Sequence, residues 1–96
     1  MIFNLSDITH FESLNRLVLV NTSDKKIHEF YYKLSDLATG LSDKGFILTH
    51  RSFLVNLQYI QKLSTNDLTL KNGLIIPISR NLASDVKKSF IDYLNK

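Results

Sequence analysis

The sequence predicts a mostly β fold with small helices, in which short antiparallel strands are followed by a C-terminal amphipathic helix. Apolar and polar residues alternate in several short segments, as in strands with one buried face. Asn72-Gly73, a dipeptide typical of tight hairpin turns, lies between two such segments, and apolar residues recur at every fourth position after Asn81, as on a helix. With 96 residues, 44% of them hydrophobic, residues 1–96 are expected to form a single domain.

The N-terminal third of the chain predicts four strands. The alternation places them at Ile2–Leu5, Ile8–Glu12, Arg16–Asn21 and Lys26–Tyr31. Polar turns such as residues 21–24 separate these segments, so neighbouring strands are expected to pair antiparallel.

A short helix is predicted next, followed by a return to strand. Four apolar residues recur at helical spacing: Leu34, Leu37, Ala38 and Leu41. Ser35 is the predicted N-cap and Gly45 the predicted stop of this helix. Phe46–Thr49 is predicted as a strand, and residues 50–58 as an irregular or single-turn connection.

The second half predicts a strand, a hairpin and the C-terminal helix. The strand is Tyr59–Leu63, and the hairpin pairs Asp67–Lys71 with Leu74–Ile78. Pro77 lacks a backbone donor, so it is expected at a sheet edge or near a strand end. The helix begins at Asn81, and its apolar stripe is expected to pack on the core. The stripe consists of Leu82, Val86, Phe90 and Leu94.

The positive charge of the chain is concentrated in its second half. Residues 1–48 hold five basic and six acidic side chains, whereas residues 49–96 hold seven and three, which gives net charges of −1 and +4. An anionic partner is therefore expected to dock on the second half. The alternative, a solvated surface with lysines scattered for solubility, stays open on charge alone.

The sequence offers little support for catalysis, a metal or a cofactor. The chain has no cysteine, which excludes disulfides, thiolate metal sites and a thiol nucleophile. His10 and Glu12 share a strand face and could form half a metal site, but no third ligand follows nearby. His50 is expected to tie a loop to the backbone rather than to act as a base. No Gly-rich phosphate loop is present, so we expect no enzyme, no metal site and no cofactor.

Two polar-basic clusters interrupt apolar segments in the positive half. One is His50-Arg51-Ser52 and the other is Ser79-Arg80-Asn81. Each lies between a strand and the next element, which places an Arg on a loop held by a rigid scaffold. The guanidinium fork matches guanine O6 and N7 as well as a phosphate. The alternative is an Arg that pairs with a surface carboxylate.

These clusters belong to longer motifs that closely resemble the LytTR family of DNA-binding domains. The first motif runs from Phe46 to Ile60 and contains His-Arg-Ser-Phe-Leu-Val-Asn at residues 50–56. The second runs from Leu68 to Arg80 and ends in Pro-Ile-Ser-Arg. Residues 7–13 and 30–37 also fit the family, so that the resemblance covers nearly the whole chain.

The resemblance implies an elongated fold that presents loops, rather than a recognition helix, to successive major grooves on one side of DNA. It implies four base-reading residues: Asn15, Arg16, Arg51 and Arg80. Ser52 and Asn81 are expected to contact phosphates, and Asn56 is expected to fix a turn through hydrogen bonds to the backbone. The mechanism requires Arg51 and Arg80 to project from neighbouring turns along one side of the molecule.

The resemblance also implies partners. They are double-stranded DNA with repeated sites, a second copy of the chain in a homodimer on DNA, and a receiver or sensor domain outside this chain. The sequence shows no signal peptide and no membrane span, so a cytoplasmic location is expected. Whether the chain is an excised domain or a stand-alone protein stays open. The alternative function is a protein-protein interaction module on the same scaffold, which uses the apolar helix stripe and strand edges.

Overall fold

The computed structural model describes residues 4–96. The predicted strand Ile2–Leu5 therefore lies mostly outside the described residues, and its end does not form a strand. Leu5–Asp7 is instead a 3-10 turn, and the Asn4 side chain accepts a hydrogen bond from the Ser6 amide at 3.2 Å. This side-chain cap favours the turn because it satisfies an amide that the turn leaves unpaired.

Five strands form the first sheet, in the order β3-β2-β1-β5-β4, and every neighbouring pair is antiparallel. The strands are β1 Ile8–Leu14, β2 Leu17–Thr22, β3 Ile27–Tyr31, β4 Phe46–His50 and β5 Phe53–Asn56. Four predicted strands are confirmed and differ only at their ends: Ile8–Glu12, Arg16–Asn21, Lys26–Tyr31 and Phe46–Thr49. The mostly β fold of antiparallel strands is confirmed as well.

Three shorter strands form the second sheet: β6 Ile60–Leu63, β7 Asp67–Leu70 and β8 Ile75–Pro77. The predicted hairpin is confirmed, and the Leu70 amide donates to the Leu74 carbonyl at 2.8 Å, which closes a loop of residues 71–73. Gly73 has a φ of +92°, and its amide donates to the Leu70 carbonyl at 2.9 Å. A glycine in the left-handed region is what this three-residue loop requires. Pro77 ends the edge strand β8, as predicted.

The prediction of an irregular connection over residues 50–58 was wrong for residues 53–56. Phe53–Asn56 forms β5, which lies between β1 and β4 near the centre of the sheet. Leu54 and Val55 are both fully buried, on opposite faces. A strand buried on both faces has no apolar-polar alternation, so periodicity does not reveal it.

The first helix, α1, spans Leu34–Gly40, and its predicted ends need correction. Lys33 is the N-cap, without a side-chain hydrogen bond, because its carbonyl already accepts from the Leu37 amide at 3.2 Å. Ser35 therefore lies inside the helix. Gly45 does not end it; with a φ of +86° it forms the turn before β4.

The C-terminal helix, α2, spans Ala83–Leu94 and follows a 3-10 turn over Arg80–Leu82. Val86 is fully buried and Phe90 packs on the core, but Leu94 is 63% exposed. Four residues turn an α-helix by about 40° more than a full revolution, so a stripe of every fourth residue drifts away from the core. Tyr93 takes the place predicted for Leu94.

Two apolar clusters lie on the two faces of the five-stranded sheet. One face packs against α1, and its buried residues are Ile8, Phe11, Val18, Val20, Leu34, Phe46 and Leu54. The other packs against the second sheet and α2, with Val55, Leu57, Ile60, Leu68, Leu70, Ile76, Ile78 and Val86. The principal extents are 32 × 25 × 24 Å, so the elongation implied by the resemblance is slight. No helix within residues 4–96 is long and apolar enough to cross a membrane.

Candidate nucleic-acid interface

The segments that carry the predicted DNA-contacting residues lie at one end of the five-stranded sheet. We call this the contact end and define it by the β1–β2 turn, the β4–β5 turn and Ser79–Asn81. The first two are neighbours because β1 pairs with β5, with Glu12 opposite Phe53. Beyond this pair, the Ser13 amide donates to the Ser52 carbonyl at 2.8 Å. The turn of Asn15 and Arg16 thus lies beside the turn of Arg51 and Ser52.

Thr49 joins the β4–β5 turn to the Ser79–Asn81 segment. Its carbonyl accepts from the Ser79 amide at 2.8 Å, and its hydroxyl Oγ1 donates to the Pro77 carbonyl at 3.2 Å. Arg51 follows Thr49 by two residues, and Arg80 follows Ser79 directly. Arg51 and Arg80 are therefore carried by neighbouring segments, and residues of both segments line one shallow concavity.

The three arginines of the contact end are exposed. Within residues 4–96 the single ion pair joins Lys26 and Asp24, with 4.0 Å between Nζ and Oδ2. Arg16, Arg51 and Arg80 thus pair with no carboxylate of these residues, and the alternative of an Arg paired with a surface carboxylate is wrong for Arg51 and Arg80. No hydrogen bond from their guanidinium groups to another described residue is seen, so their donors are available for an external acceptor.

His50 fixes the backbone that carries Arg51. Its Nδ1 accepts a hydrogen bond from the Ser52 amide at 3.1 Å, so the proton of the neutral ring is on Nε2. The ring also packs edge-on against Phe53, with 6.0 Å between centroids. His50 thus ties the loop to the backbone, as expected, by accepting from an amide of that loop.

Comparison with known proteins decides the family. The sequence profile of the LytTr DNA-binding domain matches residues 1–91. The chain belongs to this family. LytTr is a family of DNA-binding domains and not of enzymes, in agreement with the expectation that the chain is no enzyme.

Relatives and a solved structure are consistent with this membership. The chain is 39% identical over 72 residues to the sensory transduction protein LytT of Bacillus subtilis, which covers 66% of this chain and 30% of LytT. It is 30% identical to the transcriptional regulatory protein BtsR of Salmonella typhi over 92% of this chain and 38% of BtsR. A LytTr DNA-binding domain from Bacillus cereus superposes with a TM-score of 0.81 at 26% identity, covering 93% of this chain and 85% of that one.

Asn15 has a conformational role in this LytTR domain. Leu14 and Leu17 form the last pair of β1 and β2, so Asn15 and Arg16 make a two-residue loop. Asn15 has a φ of +59°, a left-handed conformation that asparagine adopts more readily than most residues. Its position in the turn therefore has a structural reason, whether or not its side chain contacts a base.

The predicted half-site of His10 and Glu12 does not gain a third ligand within residues 4–96, where no three metal-ligating side chains cluster. His10 is 3% exposed, and burial lowers its pKa to about 4. The Thr9 hydroxyl donates to the Asn21 carbonyl, so His10 Nδ1 donates to that hydroxyl at 3.0 Å. His10 is thus a neutral residue of the interior.

Two structural supports of the contact end, both outside the three segments that define it, were not found from the sequence. One is Thr49, a polar residue at the end of a predicted apolar strand. The other is the polar β6–β7 turn, whose Asn66 carbonyl accepts from the Ile78 amide at 2.9 Å. Thr49 could have been noticed as a polar residue directly before the His50-Arg51-Ser52 cluster, but its partners belong to β8 of the second sheet and to the residues after it.

Proposed function

We propose that this LytTR domain binds double-stranded DNA sequence-specifically as the output domain of a bacterial transcription regulator. In this proposal four residues at the contact end read bases in the major groove: Asn15, Arg16, Arg51 and Arg80. Ser52 and Asn81 contact phosphates. The observation that carries the proposal is the placement of three exposed, unpaired arginines on adjacent segments of a LytTR fold.

The chemistry of the contact end suits a duplex. An unpaired guanidinium offers two parallel donors, which match the O6 and N7 acceptors of guanine. The hydroxyl of Ser52 and the amide of Asn81 can donate to phosphate oxygens beside these bases. Because the three segments are joined by backbone hydrogen bonds, the arginines reach the DNA at spacings that the fold sets before binding.

The assignment to a regulator extends beyond the chain itself. The chain spans about a third of the length of the curated relatives it matches. We propose that residues 1–96 are a single domain of a longer cytoplasmic regulator whose receiver or sensor domain lies outside this chain. Repeated sites on the DNA would then place two copies side by side as a homodimer.

The test begins with selection of bound duplexes from a random pool, which supplies the preferred site. On that site Arg80→Ala is expected to weaken the binding free energy by about 1 to 3 kcal/mol and to lose base selectivity at one position. Lys71→Ala is the matched control, because Lys71 is an exposed cation in the β7–β8 loop, away from the contact end. The assignment of Arg80 fails when Arg80→Ala selects bases as the parent does.

A protein-protein interaction module is the second candidate, and exposed apolar residues favour it. Ile27 and Tyr31 of the edge strand β3 are 62% and 79% exposed. A salt titration separates the two functions. Duplex affinity that falls steeply with salt supports DNA binding through phosphates, whereas saturable protein binding without duplex affinity supports the interaction module.

A further inference from the structure

Arg51 and Arg80 belong to different sheets, so their relative position depends on what joins those sheets at the contact end. Arg51 follows β4 of the five-stranded sheet, and Arg80 follows β8 of the three-stranded sheet. Thr49 is fully buried at the junction of these two strands. Its carbonyl binds the Ser79 amide and its hydroxyl binds the Pro77 carbonyl. Both bonds therefore hold the backbone segment that immediately precedes Arg80.

A bulge in β4 explains why Thr49 can make these bonds. Leu48 pairs with Leu54 and His50 pairs with Phe53, so Thr49 is an extra residue in β4. A bulged residue is not paired within its own ladder. The backbone carbonyl of Thr49 is therefore available to the Ser79 amide, and the bulge orients the strand end that leads to Arg51.

We infer that Thr49 is a positioning residue that sets the spacing between the guanidinium groups of Arg51 and Arg80 on DNA. The inference rests on the proposed function, because it concerns the same two arginines. The buried Thr49 hydroxyl holds the segments of Arg51 and Arg80 in one arrangement before DNA binds. The two arginines therefore contact their bases without a further entropic cost of ordering these segments. Thr49 itself is buried and does not contact the DNA.

The chain offers a matched control in Thr9. Thr9 is also buried, also lies at a bulge, here between Ile8 and His10 of β1, and also donates its hydroxyl to a backbone carbonyl, that of Asn21 at 3.1 Å. It lies at the start of β1, at the end of the sheet opposite the contact end. Thr9→Val thus removes the same kind of hydrogen bond, together with the acceptor of His10 Nδ1, without touching the junction of the two arginine segments.

The experiment compares two duplexes for each variant of the 96-residue chain. One is the selected site; the other carries one extra base pair between the positions at which Arg51→Ala and Arg80→Ala each abolish selectivity. Thr49→Val keeps the volume of the side chain and removes the donor, whereas Thr49→Ser keeps the donor and removes a methyl group. Affinities are measured at a temperature where circular dichroism shows every variant folded.

Thr49→Val is expected to weaken binding to the selected site by about two- to tenfold, because the junction must then be ordered on binding, at a cost of up to one net hydrogen bond. It is also expected to lower the ratio of the affinity for the selected site to the affinity for the lengthened site. Thr49→Ser and Thr9→Val should keep the parent's preference, although both lower stability. The positioning role is overturned if Thr49→Val leaves the ratio of the two affinities unchanged. It is also overturned if Thr9→Val lowers that ratio equally.

The same data separate this inference from the proposed function. When the two arginine variants lose selectivity and Thr49→Val does not alter the spacing preference, the positioning role alone is overturned. When Arg51→Ala and Arg80→Ala select bases as the parent does, the base-reading assignment fails, and the inference that rests on it fails too.

Discussion

The two ends of the five-stranded sheet use their polar side chains differently. At the end opposite the contact end, polar groups bind the protein itself: the Asn56 amide donates to the Ile8 carbonyl at 2.8 Å, and the Tyr59 hydroxyl donates to the Ser6 carbonyl. At the contact end, the longest polar side chains, Arg16, Arg51 and Arg80, form no ion pair with any residue of the described range 4–96. A buried polar group without a partner costs stability, but an exposed guanidinium does not.

This difference separates residues that stabilise the fold from residues available for a ligand. Substitutions at the opposite end are expected to change the free energy of unfolding. Substitutions at the contact end are expected to change DNA affinity instead. Variants that affect both quantities equally would contradict the distinction.

The largest effect is expected for Asn56→Ala. Asn56 is 5% exposed, donates to Ile8 and Leu5 carbonyls and accepts from the Gln58 amide at 3.1 Å. Its removal takes away one buried hydrogen bond, to the Ile8 carbonyl, and two part-buried ones, so the free energy of unfolding should fall by about 2 to 4 kcal/mol. Urea denaturation measures this loss. Folded Asn56→Ala is expected to bind DNA as the parent does; a selective loss of affinity would place Asn56 in the interface.

Acid is expected to destabilise the fold through His10. Burial lowers its pKa to about 4 in the folded chain, against an ordinary value of 6.5. Between these values the unfolded chain takes up the proton and the folded chain does not. The contribution of neutral His10 is thus fully present above pH 6.5 and is lost as the pH falls toward 4, by about 2 to 3 kcal/mol.

Denaturation at several pH values between 7 and 4 tests this effect. His10→Phe is the control, because it keeps a ring beside Phe53, whose centroid is 6.3 Å from that of His10. The variant should lose most of the pH dependence in this range. An equal slope in the parent and in His10→Phe would assign the dependence to other groups.

Arg51→Ala is expected to lower DNA affinity and keep stability, the opposite of Asn56→Ala. Its side chain is exposed and makes no ion pair, so the free energy of unfolding should change by no more than about 0.5 kcal/mol. Binding to the selected duplex should weaken by about 1 to 3 kcal/mol, with lost selectivity at one base position. Fluorescence anisotropy and denaturation of the same sample measure both quantities. A destabilised Arg51→Ala would give Arg51 a structural role.

The sequence predicted features that depend on neighbours along the chain. The Asn72-Gly73 hairpin is an example, because its turn chemistry is local. The strand Phe53–Asn56 was missed because burial on both faces is a property of the assembled sheet. The arginine motifs were found through the family resemblance. Thr49 was not found, since its hydroxyl partner at Pro77 lies 28 residues away in the second sheet.

The smallest change in stability and affinity is expected at Asn15. This residue has features both of residues that stabilise the fold and of residues available for a ligand. Its φ of +59° gives it a turn role, and its exposed amide faces solvent at the contact end. Asn15→Gly keeps the left-handed conformation and removes the amide, so stability should change by only a few tenths of a kcal/mol. Asn15→Ala also removes the amide, but a left-handed alanine costs about 1 kcal/mol.

Comparison of these two variants separates conformation from contact. If the Asn15 amide reads a base, both variants weaken binding to the selected duplex equally once each is folded. If Asn15 serves only the turn, Asn15→Gly binds as the parent does and Asn15→Ala alone is impaired. Because Arg16 is the next residue of the same loop, the second result would also show that the turn conformation positions the Arg16 guanidinium on the DNA.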